Sequence, residues 1–244
     1  MIGRRRLLQM GCGALSFGSF PPVALARTWG YSGEVGPEAW GELSETFQLC
    51  SAGQQQSPID LGKPKLDGAV LDEGAIAYQA IPSAVQDTGL TLQVDTPAGN
   101  LLYLDGEAFA LRQFHFHAPS EHRLDGAAFP MELHLVHQSE AGTLAVVSVF
   151  LQVGRENLAL APVWSTLVGK SDAGQVMVQD LLPGDRRVVS YQGSLTTPPC
   201  SEGVRWVVFQ TPIEVSRQQL EAFQKHFAPN ARPLQPLMNR VLGR

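Results

Sequence analysis

The sequence predicts a mainly β protein with helices confined to the periphery. Three observations carry that reading. Short runs of alternating apolar and polar residues recur along the 244-residue chain; 24 glycines and 17 prolines punctuate them; and only two segments read as credible helices. Alternation with a period of two fits a pleated strand with one face buried, whereas helices need a longer repeat.

Taken in order, residues 1–26 read as an export signal and residues 27–244 as a single domain. Arg4, Arg5 and Arg6 precede Leu7-Leu8-Gln9, an apolar Gly-rich stretch follows, and Ala24-Leu25-Ala26 closes it. This is the charged, apolar and A-x-A pattern of a cleavable leader. The consecutive arginines are similar to those of twin-arginine signals. Gly, Ser and Pro21-Pro22 interrupt the run, and it is short for a membrane span. Cys12 lies within the leader, but Gln9-Met10-Gly11 before it is a poor lipoprotein match. Cleavage leaves 218 residues, enough for one sizeable core. Losing three arginines takes the net charge from −5 to −8. An acidic surface argues against nucleic acid as a partner, and no stable membrane insertion is expected after cleavage.

Pro37–Leu43 reads as a short turn. Candidate strands are Ala75–Ala80, Leu90–Asp95, Leu101–Leu104, Ala110–His117, Met131–Gln138, Leu144–Val153, Arg187–Gln192 and Val204–Thr211. A helix is expected over Asn157–Val168, stopped by Gly169. A second begins at the capping box Ser216-Arg217-Gln218-Gln219 and runs to about His226.

The two cysteines of the exported part, Cys50 and Cys200, read as a disulfide, with a free thiol pair as the other possibility. The bond closes a loop of about 150 residues, worth roughly 4–5 kcal/mol in the chain-entropy account.

Chemistry concentrates in Gln113–His137, which holds His115, His117, His122, His134 and His137, five of the six histidines. In a strand, His115 and His117 share one face while Phe114 and Phe116 pack behind them. In the next strand Glu132, His134 and Val136 share a face, with Leu133 and Leu135 on the other. The turn-prone Arg123–Pro130 lets the two strands lie side by side, so three imidazoles can converge. Three histidines are the protein ligand set of a catalytic zinc site, and Glu132, two residues before His134, can hold its ring. Ordinary histidines on a polar strand face remain the competing reading.

Here the chain resembles α-class carbonic anhydrases of the exported bacterial type, almost end to end. Trp29-Gly30-Tyr31 and Gly36-Pro37-Glu38-Ala39-Trp40 match the amino-terminal segments, and Gln56-Ser57-Pro58-Ile59-Asp60 the QSPI-[DN] segment. Gln113–His117, Ser120-Glu121-His122 and Glu132–His137 match the histidine core. Ser194–Glu202 matches SLTTPPC-x-E, and Arg232-Pro233, Gln235-Pro236-Leu237 and Asn239-Arg240 match the closing segment.

The resemblance implies a large twisted, mostly antiparallel sheet and reversible hydration of CO2 to bicarbonate by a zinc-bound hydroxide. It implies His115, His117 and His134 as zinc ligands, with Gln113 orienting His115, Glu132 orienting His134, and a backbone carbonyl at Asn230 orienting His117. His122 and His137 become structural. Thr196 and Glu121 form the catalytic hydrogen-bond pair. Val136, Val146, Leu195, Val204 and Trp206 form the apolar side of the substrate site, with Thr196 and Thr197 beside them. Cis bonds are implied before Pro58 and Pro199. The chain departs from the pattern at Leu90, which stands in Asp87-Thr88-Gly89-Leu90 where fast relatives carry a proton-shuttle histidine. Leucine carries no proton, and His226 in the last helix is a poor substitute, so slow or buffer-dependent proton export is expected. The alternatives are a non-catalytic carbonic anhydrase-like binding module and, further off, a zinc esterase. A periplasmic or secreted monomer or homodimer is expected.

Overall fold

The computed structural model describes residues 29–64, 68–82, 84–169 and 174–243. The expected leader, residues 1–26, lies outside them. Single helical turns α1 (Trp40–Leu43) and α2 (Leu49–Ala52) lead into the strands. These are β1 (Ile76–Ala77), β2 (Ala80–Pro82), β3 (Ala84–Asp87), β4 (Leu92–Asp95), β5 (Leu101–Leu104), β6 (Glu107–His117), β7 (Met131–Ser139) and β8 (Leu144–Val153). Then come α3 (Ala161–Trp164), β9 (Gln175–Met177), β10 (Val188–Ser194), β11 (Glu202–Phe209), β12 (Ile213–Val215) and α4 (Arg217–His226).

Among the described residues ten strands form one sheet with the central order β1-β5-β6-β7-β8-β11-β10; β4 joins β6, β3 joins β4, and β12 joins β8. Pairing is antiparallel except where β11 and β12 run parallel to β8. β2 and β9 make a separate two-stranded sheet. The sheet is therefore buried on both sides in its middle. On one side Leu133 and Leu135 of β7 pack with Val147 and Val149 of β8, Trp164, Leu220 and Phe223. On the other side Ile59, Val146, Phe150, Val204 and Trp206 form a smaller apolar cluster. A third cluster gathers Trp40, Cys50 and Cys200 against Trp29 and Tyr31.

A β-bulge between Leu111 and Gln113 sets which way the histidines face. Phe109 and Leu111 are buried in the main core, and so are Phe114 and Phe116. Strict alternation from Phe109 would send residues 113, 115 and 117 into that core. The extra residue, exposed Arg112, reverses the alternation, so the phenylalanines continue the apolar face and Gln113, His115 and His117 take the other.

Several sequence-based boundaries shift. Ala75–Ala80 splits, with Ile76–Ala77 pairing β5 and Ala80–Pro82 crossing to β9. β4 starts at Leu92 because Thr88 closes a turn, its hydroxyl accepting the N–H groups of Leu90 and Thr91. Asn157–Val168 is not one helix: 3-10 turns over Leu158–Leu160 and Ser165–Val168 flank α3. Pro162 near the start of α3 lacks the N–H that would continue the helix through it. Gly169, at φ 72°, ends the segment as expected. In α4 the Ser216 hydroxyl accepts from Gln219 N–H and the Gln219 side chain accepts from Ser216 N–H, the predicted capping box. Its buried Leu220 and Phe223, with Phe227 just beyond, stand three and four apart and face the core. No helix among the described residues is long and apolar enough to cross a membrane.

Candidate metal centre

β6 and β7 pair so that His115 lies directly opposite His134, and His117 opposite Glu132. The ring atoms of His115, His117 and His134 that could hold a metal all lie within 4.8 Å of one another. His117 and His134 are buried and His115 is half-buried.

Each ring is oriented by a partner on one nitrogen. His115 Nδ1 is 2.8 Å from Gln113 Oε1, and His117 Nδ1 is 2.8 Å from the Asn230 carbonyl. His134 Nε2 is 2.8 Å from Glu132 Oε1. Since those partners are all acceptors, each ring donates there and offers a bare nitrogen elsewhere: Nε2 of His115 and His117, and Nδ1 of His134. His117 Nε2 is buried with no hydrogen-bond partner. A buried imidazole lone pair without a partner is costly, and a metal cation held jointly by the three rings would satisfy it. Burial lowers the pKa of all three rings; for His115 the charges of His117 and His134 push further down. Neutral imidazole is the ligating form, so the donor set fits a divalent metal with a zinc-like preference for nitrogen.

Glu132 is the hub behind the rings. Its Oε1 accepts from His134, from His122 Nδ1 at 2.6 Å and from Ser148 Oγ at 2.5 Å; Oε2 accepts the N–H groups of Glu121 and His122 at 2.8 Å each. Burial alone would raise its pKa, but the charges of His122 and His134 and these bonds hold it well below the carboxylate range. His122, Glu132 and His134 also come close enough to suggest a second metal group. Their facing atoms are spent on each other, and His122 Nε2 is 2.6 Å from the Tyr191 hydroxyl. His122 is thus a hydrogen-bonded support. His137 lies on the core face of β7, its Nε2 2.6 Å from the Tyr78 hydroxyl, away from the other rings.

Glu121 sits beneath the cluster, 3.5 Å from His117 Nδ1 and 3.9 Å from His134 Nδ1. Its Oε1 accepts the Arg232 N–H at 2.8 Å. Oε2 is buried without a well-formed hydrogen bond, and the Thr196 hydroxyl is close enough to Glu121 to favour its charged form. Burial pushes Glu121 up to about 7, against the lowering effects of His134, the Arg232 N–H and Thr196.

A cavity of about 570 Å³ opens over the rings, lined by His115, His117, Trp29, Tyr31, Leu90, Gln93, Thr197 and Asn230. Leu90 therefore stands on the cavity wall. Val136, Val146, Leu195, Val204 and Trp206 do come together, in the smaller apolar cluster, and Trp206 packs edge-on to His134 at 4.9 Å. His226 is not among the cavity-lining residues; its Nε2 is 2.7 Å from Asp87 Oδ2, next to the cavity-lining Thr88. Cys50 and Cys200 are joined as expected. The bonds before Pro58 and Pro199 are cis, and so is the one before Pro119.

Two contributors escaped the sequence reading. Ser148 reaches Glu132 because it lies opposite His134 across β7 and β8, a register no local pattern reveals. Asn230 serves with its side chain as well as its carbonyl: Nδ2 donates to Leu90 O and Phe116 O, and Oδ1 accepts the Ala118 N–H.

A family model described as eukaryotic-type carbonic anhydrase matches residues 35–243. A carbonic anhydrase of Nostoc sp. is 42% identical over 250 residues, covering 97% of this chain and 94% of that protein. Among solved structures, the α-carbonic anhydrase of Thermovibrio ammonificans, in complex with the inhibitor sulfanilamide, is 42% identical with a TM-score of 0.77, covering 88% of this chain and 98% of its own. Dioscorin complexed with ascorbate is 30% identical with a TM-score of 0.80, covering 88% and 97%.

Proposed function

The chain belongs to the eukaryotic-type carbonic anhydrase family and is an enzyme of that family; we propose that it hydrates CO2 reversibly at a zinc held by His115, His117 and His134. The observation that carries this is the convergence of three bare ring nitrogens, each left free by an acceptor on the opposite nitrogen. Zinc, when bound, supplies Lewis acidity that lets a water ionise near pH 7, a value established on carbonic anhydrase itself.

The chain's own groups do the rest. Gln113, Glu132 and the Asn230 carbonyl fix the ring tautomers, so ligand geometry is set before the metal arrives. Thr196 donates its hydroxyl proton to Glu121 Oε2, which then leaves the threonine oxygen to accept from the attacking water. That single direction of donation turns the water's lone pair toward the carbon of CO2. Glu121 can play this part only as a carboxylate acceptor. Val136, Val146, Leu195, Val204 and Trp206, with Thr197 at the edge, give the apolar substrate a dry wall.

Proton export is the weak step. Of the described residues that line the cavity only the candidate ligand histidines and Tyr31 can titrate, and burial raises the Tyr31 pKa far above neutrality, with Glu121 adding to it. Leu90 on the wall offers nothing, so the proton leaves to external buffer. The acidic chain, its leader-like first 26 residues and its disulfide support action in an exported compartment.

Stopped-flow CO2 hydration with metal analysis tests the site. Wild type is expected to bind one zinc, hydrate CO2 and be inhibited by sulfanilamide; His134→Ala should lose zinc and most activity. Equal rates in the two proteins would refute the assignment. A zinc-replete wild type with no hydration would favour the binding-module reading that the likeness to dioscorin raises.

A further inference from the structure

Arg232 is a buried cation that the mechanism above does not use. Only 3% of its surface is exposed, and among the described residues its guanidinium is hydrogen-bonded to no carboxylate. Nη1 donates to Gln56 Oε1 at 2.9 Å and Ser57 O at 2.7 Å, and Nη2 donates to Cys50 O at 2.8 Å. The group lies over the Trp40 ring at 5.6 Å. Burying a guanidinium among neutral acceptors is expensive, and burial pulls its pKa down to about 10, with Glu121 the first of the groups opposing that.

The expense fixes one stretch of irregular backbone. Residues 230–232 belong to no helix or strand, yet the Asn230 carbonyl holds His117 and the Arg232 N–H holds Glu121 Oε1. An N–H in a loop can aim at a carboxylate only if something pins the loop. The Arg232 side chain does so, reaching back to the 50–57 segment, and Gln56 in turn donates to Cys200 O in the loop that carries Thr196.

We propose that Arg232 is a positioning residue for CO2 hydration: its side chain pins its own N–H on Glu121 Oε1, which leaves Oε2 turned toward Thr196. This rests on the proposed reading of the site. A guanidinium suits the task because its rigid planar fork holds Gln56 Oε1, Ser57 O and Cys50 O in one fixed geometry, which a freely rotating ammonium does not impose.

The test is a double-mutant cycle on the full zinc-loaded enzyme, with kcat/KM for CO2 and zinc content measured for wild type, Arg232→Met, Glu121→Ala and the double variant. Arg232→Met should lose on the order of tenfold in kcat/KM with zinc retained, and less than about twofold once Glu121 is already alanine. A multiplicative loss, or no loss in the single variant, overturns the proposal. If Arg232→Met does not fold, Arg232→Lys, which keeps charge and stem, takes its place in the cycle with the same expectation. A second readout is independent of turnover. The amide proton of residue 232, bonded to a carboxylate, should move upfield in both Arg232→Lys and Glu121→Ala; an unmoved signal in the lysine variant counts against the proposal. Failure of the underlying reading looks different, because Glu121→Ala would then hydrate CO2 as fast as wild type.

Discussion

At the scale of single residues, Leu90 and His137 make opposite points about titratable groups. Leu90 is exposed to the cavity where a proton needs an exit. Leu90→His should raise the CO2 hydration rate severalfold at low buffer concentration and change it little at high concentration, while wild type climbs steeply with buffer. A wild-type rate already high and indifferent to buffer would remove the proposed bottleneck. His137 is a base that the fold keeps neutral. Burial, opposed by backbone contacts from Ala145 and Leu135, lowers its pKa from 6.5 to about 3. The unfolded chain takes up a proton below 6.5 that the folded chain refuses until about 3. Stability is therefore full above pH 6.5 and declines as pH falls through that window, by about 1.4 kcal/mol per pH unit from this group. Urea unfolding midpoints at pH 7 and 4.5 measure the decline, and the double variant Tyr78→Phe/His137→Leu should flatten it. Five histidines in one stretch were plain in the sequence, and alternation placed His115, His117 and His134 on facing surfaces. Their division into metal donors and supports was not. His122 lies outside the strands and His137 on the core face of β7, and each is held by a tyrosine distant in sequence, Tyr191 of β10 and Tyr78 between β1 and β2.

At the scale of elements, legibility followed length and burial. β5 and β8 coincide with the sequence-based boundaries because apolar runs bounded by turn residues define both ends. β9 and β12, of three residues each, fell below what periodicity can detect. Pro162, which has no N–H to donate back toward Leu158, separates the Leu158–Leu160 turn from α3 within the expected helix. The bulge in β6 was also hidden, since Arg112 reads as one more polar residue. Its consequence is testable. Arg112→Ala should fold and bind zinc, the side chain being exposed. Deleting residue 112 should abolish both, because it would turn His115 and His117 into the main core and Phe114 and Phe116 toward the cavity. Circular dichroism and metal content distinguish the two variants; a folded, zinc-binding deletion would show that the bulge does not set the facing.

At the scale of the whole molecule, the site draws on residues spread over most of the chain: Gln56, the β6–β7 pair, Thr196, Tyr191 and the 230–232 strap. No local segment can assemble it: the histidine-rich Gln113–His137 located the site in the sequence, and only the motifs taken in order along the chain supplied its distant partners. Intact-mass measurement of protein recovered from the exported fraction should show a chain starting at Arg27 and lighter by about 2 Da than its reduced form, the signature of one disulfide. A start elsewhere, or a reduced mass, would revise the export reading. If Arg4–Arg6 direct export of the chain already folded, the Cys50–Cys200 bond would form only after the sheet and the strap are in place, because the chain would leave a reducing compartment. The covalent tie would then come last, as a seal on finished architecture, and the newly made protein would have to stand without it.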